Sequence, residues 1–182
     1  MRFRRTISVL LAGLLALLGL AACGGDDGDE IAGVGQRATA AIAGPDGTPM
    51  GAVTLEQGPN GVLVSADVSG LTPGAHGFHI HDVGACTPDF SAAGSHFAPS
   101  GHGHGFMYGD DQHAGDLPNL YAASDGSARA DVFTSKITLA ADADTTVFDA
   151  DGSAIIIHAQ PDSYGAEPGA GDRVACGVIE RS

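Results

Sequence analysis

From residue 37 onward, apolar and polar positions alternate in short runs separated by turn-forming residues. The clearest run is "GVLVSADVSGL", where Val62, Val64, Ala66 and Val68 fall on one side and Leu63, Ser65, Asp67 and Ser69 on the other. A period of two marks a half-buried strand. "RATAAIAG" and "MGAVTLEQ" flank "PDGTP", and "GPNG" precedes the run just described. "HGFHIHD", "SARADVFTSKITL", "AIIIHA" and "RVACGVIE" supply further strands. No segment keeps a helical period for three turns. The pattern predicts an all-β domain over 37–182, a Greek-key β-barrel or sandwich of about eight antiparallel strands. One long irregular excursion, from 82 to about 117, interrupts it.

The first residues follow a different pattern. Arg2, Arg4 and Arg5 precede an apolar run over 7–20, which ends in "LAAC" at Cys23. The run is short for a membrane span and has the layout of a secretory signal. The small residues before the cysteine resemble the bacterial lipoprotein signal, so residues 1–22 are predicted to be removed and Cys23 lipidated. An ordinary signal peptide with a spectator cysteine is the competing reading. Residues 23–36, glycine-rich and acidic, read as a flexible tether with a reach of about 20 Å.

Charge and cysteine content narrow the field. The chain of 182 residues has a formal net charge of −14 and a single lysine, Lys136. Without residues 1–22 it keeps five of its basic residues and all of its acids, which brings it to −17. So acidic a surface repels phosphate backbones, and nucleic acid is excluded as a partner. With Cys23 committed to lipid, Cys86 and Cys176 remain, and export to an oxidising compartment predicts a disulfide between them. The expected location is extracytoplasmic, anchored by lipid to the bacterial cell membrane.

The histidines carry the chemistry. On a strand, His79 and His81 project to one face and Ile80 to the other. Two imidazoles do not hold zinc or copper tightly, so further ligands must converge on them. The candidates are His158, on a late strand, and the histidines of the excursion: His96, His102, His104 and His113. A loop this long is usually functional or disordered, and disorder gives no reason for so many imidazoles. Asp116 could join His104 and His113 in a second site that shares one histidine with the first.

Five segments, "HGFHIHDVGACT", "AGSHFAPSGHGHG", "HAGDLPNL", "IIIHAQPDSYG" and "GDRVACGVIE", resemble, in order, the signatures of the Cu,Zn superoxide dismutases. The likeness covers about 37–181 and points to the bacterial lipoprotein type. It implies copper held by His79, His81, His96 and His158, and zinc held by His96, His104, His113 and Asp116. It also implies that Asp162 ties a copper histidine to a zinc histidine, that Cys86 and Cys176 form the family disulfide, and that Arg173 attracts the superoxide anion. His96 and Arg173 would be the catalytic groups. His76 would be a packing histidine. His102 and His104 compete for one zinc position, and the spacing and the glycine that follows favour His104.

The segment from Cys86 to His96 is longer than in the animal enzymes, and the loop after Asp162 has no lysine. The animal dimer contacts are not recognisable, so the oligomeric state stays open. Two other readings remain beside a Cu,Zn dismutase: a non-catalytic copper-binding or copper-delivery protein, and a copper-only dismutase.

Overall fold

The computed structural model describes residues 31–101, 103–107 and 112–182. His102, Cys23 and the whole of 1–30 lie outside them, and so do the expected signal and lipidation site. Eight strands form one antiparallel sheet: β1 (Arg37–Ala43), β2 (Pro49–Gly58), β3 (Gly61–Val68), β4 (Gly74–His81), β5 (Asp116–Ala122), β6 (Ala128–Thr134), β7 (Ala154–His158) and β8 (Arg173–Arg181). Their order is β5-β4-β7-β8-β1-β2-β3-β6, and the two outer strands pack against each other so that the sheet nearly closes. The crossings from β3 to β4 and from β6 to β7 give it Greek-key connectivity, as the alternation predicts.

Val62, Val64, Ala66 and Val68 are buried and Leu63 is exposed, so the β3 pattern reads true. They meet Phe78, Ile80, Leu117, Leu120, Ile155 and Ile157 in the barrel core. Ala154 and Ile156 point the other way, into a smaller cluster with Ala93 and Cys176. β4 is buried on both faces because Phe78 and Ile80 fill the core while the excursion folds over His79 and His81. In register, His79 sits opposite both Ile156 of β7 and Asp116 of β5. The outward face of these three strands is therefore the floor of the histidine cluster.

The excursion is folded. Asp82 N–H donates to Ser95 O, Ser95 N–H to Asp82 Oδ1, and Phe97 N–H to Ile80 O at 2.7–2.9 Å. Phe97 is buried in the core and anchors the loop beside β4, where His96 forms an isolated bridge with His81. A 3-10 turn over Phe90–Ala93, capped by Asp89, fills the stretch before it. The predicted disulfide is present: Cys86 and Cys176 are joined, with Cα atoms 5.9 Å apart, and link the excursion to β8.

Two expectations need correction. Residues 31–36 are a turn bonded to β2, through Gly35 N–H to Gln57 O and Gln57 N–H to Gln36 O, both 2.9 Å. This part of the expected tether is folded, and the rest of it lies outside the described residues. The run "SARADVFTSKITL" is a strand only over Ala128–Thr134. Ile137 and Leu139 are buried without being in the sheet, because Gln57 Oε1 accepts from Thr138 Oγ1 and from Leu139 N–H at 2.9 Å and holds them across the barrel end.

Candidate metal centre

The strands and the folded excursion bring all the predicted ligands that are described into one place. One donor atom each from His79, His81, His96 and His158 lies within 4.8 Å of the others, and a second such set is His79, His96, His104 and Asp116. His79 and His96 are nearly in contact, with ring centroids 4.0 Å apart. Gly77 makes room for this. A Cβ there would stand 3.2 Å from His79 Cε1 and 3.3 Å from His158 Cβ.

Hydrogen bonds assign the tautomers. A carbonyl oxygen only accepts, so a ring nitrogen facing one must carry the proton. His81 Nδ1–H donates to Gly94 O at 3.1 Å and His158 Nδ1–H to Gly171 O at 3.2 Å. His79 Nε2–H donates to Asp162 Oδ2 at 2.6 Å. The opposite nitrogens, His79 Nδ1, His81 Nε2 and His158 Nε2, are buried and have no partner among the described residues. A buried polar atom without a partner is costly, and three lone pairs converging from three fixed rings are what a metal ion satisfies.

Burial also keeps these rings neutral. It pushes His81 down to about 2, helped by the neighbouring His96 and Arg173, and His158 down to about 4, helped by His79. In His79 burial lowers the value and the bond to Asp162 only partly opposes it. Protons therefore do not compete for these lone pairs at neutral pH.

The carboxylates behave in the opposite way. Burial raises both, but hydrogen bonds outweigh it. His79 and the Tyr164 N–H hold Asp162 down at about 2, and His96 and the Gly105 N–H hold Asp116 below its ordinary value. Asp116 Oδ1 lies 2.7 Å from His96 Nδ1 and its Oδ2 accepts from Gly105 N–H at 2.7 Å.

His113 stands at the edge of the second set rather than within it. Its Nδ1 is buried without a hydrogen bond and lies 3.4 Å from Asp116 Oδ1. His104 Nδ1–H donates to Gly165 O at 2.6 Å, which leaves its Nε2, 2.9 Å from Asp162 Oδ2 and 3.7 Å from Asp116 Oδ1, as the nitrogen that faces the second set. His76 is apart from the cluster and ties Thr72 O to His158 O, each at 2.7 Å, as a packing histidine would.

Arg173 is fixed by carbonyls of the excursion, with Nη1 to Phe90 O and Nη2 to Gly94 O, both 2.6 Å. Gly94 O thus accepts from Arg173 and from His81 together, which sets the guanidinium beside the cluster. Burial lowers its pKa, and it remains a cation at neutral pH. The sequence reading missed Gly94, and it missed Asn119 and Tyr164, which hold Asp162. The first two act through groups that carry no motif.

A Greek-key barrel whose outer face gathers four imidazoles, joined through His79 and His96 to an imidazole–carboxylate set, defines a class of β-barrel proteins built to hold two metals. The chain belongs to the copper/zinc superoxide dismutase family, whose metals are copper and zinc. The family described as "Copper/zinc superoxide dismutase (SODC)" matches residues 50–179. A superoxide dismutase [Cu-Zn] of Caulobacter vibrioides is 45% identical over 79% of this chain and 85% of its own length. Superoxide dismutase [Cu-Zn] 2 of Aquifex aeolicus is 38% identical over 79% and 86%. Among solved structures, a SOD-like protein from Bacillus subtilis superposes with a TM-score of 0.72 at 34% identity, covering 77% of this chain and 96% of that one.

Proposed function

We propose that this protein dismutates superoxide, with copper held by His79 Nδ1, His81 Nε2, His158 Nε2 and His96, and zinc held by His96, His104, His113 and Asp116. The observation that carries the proposal is the set of three buried, unpartnered imidazole nitrogens, each on a ring whose other nitrogen is held by a fixed acceptor. His79 appears in both tight sets, but its Nε2 is committed to Asp162, so its one free nitrogen serves the copper side. That leaves the unpartnered Nδ1 of His113 as the further zinc donor.

Copper supplies one-electron redox chemistry, so that two superoxide anions and two protons become oxygen and hydrogen peroxide. Arg173 supplies a fixed positive charge where the anion must sit. Asp116 engages His96 through Nδ1, which leaves His96 Nε2 as the atom that can hold a proton for the peroxide. Asp162 keeps the His79 ring in its tautomer and orientation.

Metal analysis and a superoxide assay on one purified sample test this. The expected result is one copper and one zinc per chain with rapid dismutation. Copper without activity would instead support a copper-carrying protein, and full activity without zinc a copper-only enzyme.

The cellular place is part of the same proposal. The basic start, the apolar run and "LAAC" support removal of residues 1–22 and a lipid on Cys23. The Cys86–Cys176 disulfide supports a compartment outside the reducing cytosol. Mass spectrometry of the natively expressed protein should find diacylglycerol on Cys23. An unlipidated N-terminus in a host that processes lipoproteins would overturn it.

A further inference from the structure

One oxygen of Asp162 faces two imidazoles: Oδ2 accepts from His79 Nε2–H at 2.6 Å and lies 2.9 Å from His104 Nε2. Its ability to do so depends on what fixes the carboxylate. Asn119 of β5, buried in the sheet, grips the Asp162 backbone at both ends. Its Nδ2–H donates to Asp162 O at 2.9 Å and its Oδ1 accepts from Asp162 N–H at 2.7 Å. Tyr164 completes a ring of contacts. Its N–H donates to Asp162 Oδ1 at 2.6 Å, occupying the oxygen that the histidines do not use. Its Oη accepts from the Asn119 N–H at 2.8 Å.

Tyr164 holds this position in a backbone conformation that non-glycine residues rarely adopt, with φ of +62°. It also locks onto the segment that follows His104. Met107 N–H donates to Tyr164 O at 3.2 Å, and the Phe106 and Tyr164 rings lie 5.3 Å apart. A Cβ on Gly105 would stand 2.4 Å from Tyr164 O, so the two segments meet without space between them.

We propose that Tyr164 is a positioning residue for the metal pair: through its Oη on the Asn119 N–H it braces the residue that grips Asp162 and, through that carboxylate, the His104 ring on the zinc side. The proposal rests on the zinc assignment above. The contacts give this part of the loop after Asp162 one task, the retention of zinc.

Tyr164→Phe keeps the ring against Phe106 and removes only Oη. Zinc affinity is measured by competition with a chelator in wild type, Tyr164→Phe, Asp162→Asn and the double variant. Loss of a partner behind a ligand weakens metal binding by about 10–100-fold, and the low end is expected for Tyr164→Phe. In the Asp162→Asn background the same change should cost less than about 2-fold, because residues acting through one group are not additive. Equal losses in both backgrounds would mean a merely structural tyrosine and would overturn the proposal, as would no loss in either.

Cobalt(II) placed in the zinc site gives a reading that needs only the single variant, should Asp162→Asn not fold. Its visible bands should shift in Tyr164→Phe, and unchanged bands would overturn the proposal. A wild type that takes up no zinc would overturn both this proposal and the zinc assignment. A zinc-loaded wild type with an unaffected variant would overturn this one alone.

Discussion

At the scale of single residues, the site works because each imidazole is oriented from behind. His158 is held by Gly171 O and kept neutral by burial, so its Nε2 is always offered. His158→Ala should therefore lose copper and lower activity by about 100-fold or more, the upper end of the range for a partner behind a ligand. Zinc should remain, since His158 is outside the second set. Copper and zinc content of the purified variant, with a superoxide assay, checks this, and a variant that keeps copper and still dismutates would refute the ligand assignment. The paired substitutions His104→Ala and His102→Ala give a sharper test, with zinc lost in the first and retained in the second.

The pairing of His79 and His81 was legible in the sequence because strand alternation puts both on one face. The groups behind them were not. No role for Asn119 follows from the sequence, yet it lies in a strand with its amide on Asp162. Gly94 acts through its carbonyl, which no side-chain pattern can signal.

At the scale of elements, the excursion is held to the barrel at three points: Phe97 in the core, the hydrogen bonds along 80–82, and the disulfide to β8. The disulfide spans a sequence separation of 90 residues, and closing so long a loop is worth about 4–5 kcal/mol in the chain-entropy model. Its effect reaches the site as well. The carbonyls of Phe90 and Gly94, which fix Arg173, lie in the segment it anchors. Cys86→Ser should lower the thermal midpoint of the metal-free protein and also reduce activity in metal-loaded protein that remains folded. A variant with the lowered midpoint but unchanged activity would show that Phe97 and the backbone bonds suffice to hold Arg173.

Strands with a period of two were legible here, and β5 was not. Pro118 interrupts "DLPNLYA", and a proline usually argues against a strand. β5 tolerates it because it is the first strand of the sheet order and Pro118 is exposed. The converse error befell Ile137 and Leu139, whose apolar pattern reads as strand while a single glutamine, Gln57, holds them as a plug.

At the scale of the whole molecule, the question is how an anion reaches a site on so acidic a protein. Arg37 is paired with Glu56 and Arg129 with Asp67, each at 3.0 Å on the surface. Arg181 lies over the Phe148 ring and ends β8, the strand that Arg173 begins. At about 3.3 Å per residue this puts it roughly 26 Å from Arg173, well beyond a Debye length of about 8–10 Å. Arg37 pairs through β1 with the same end of β8. Between Asp162 and Arg173 the chain carries two acids, Glu167 and Asp172, and no cation.

Attraction of superoxide should rest mainly on the metals and Arg173, whose guanidinium two carbonyls hold at the cluster, with Lys136 the remaining cation after residue 22. Arg173→Ile removes that charge without touching a ligand. The rate should fall substantially, and its dependence on ionic strength should flatten, because salt can only screen a field that is present. Rates measured by pulse radiolysis across a salt series, on wild type and variant, decide it. Parallel slopes would mean that a cation elsewhere guides the anion, and that Arg173 serves only to hold it once it arrives.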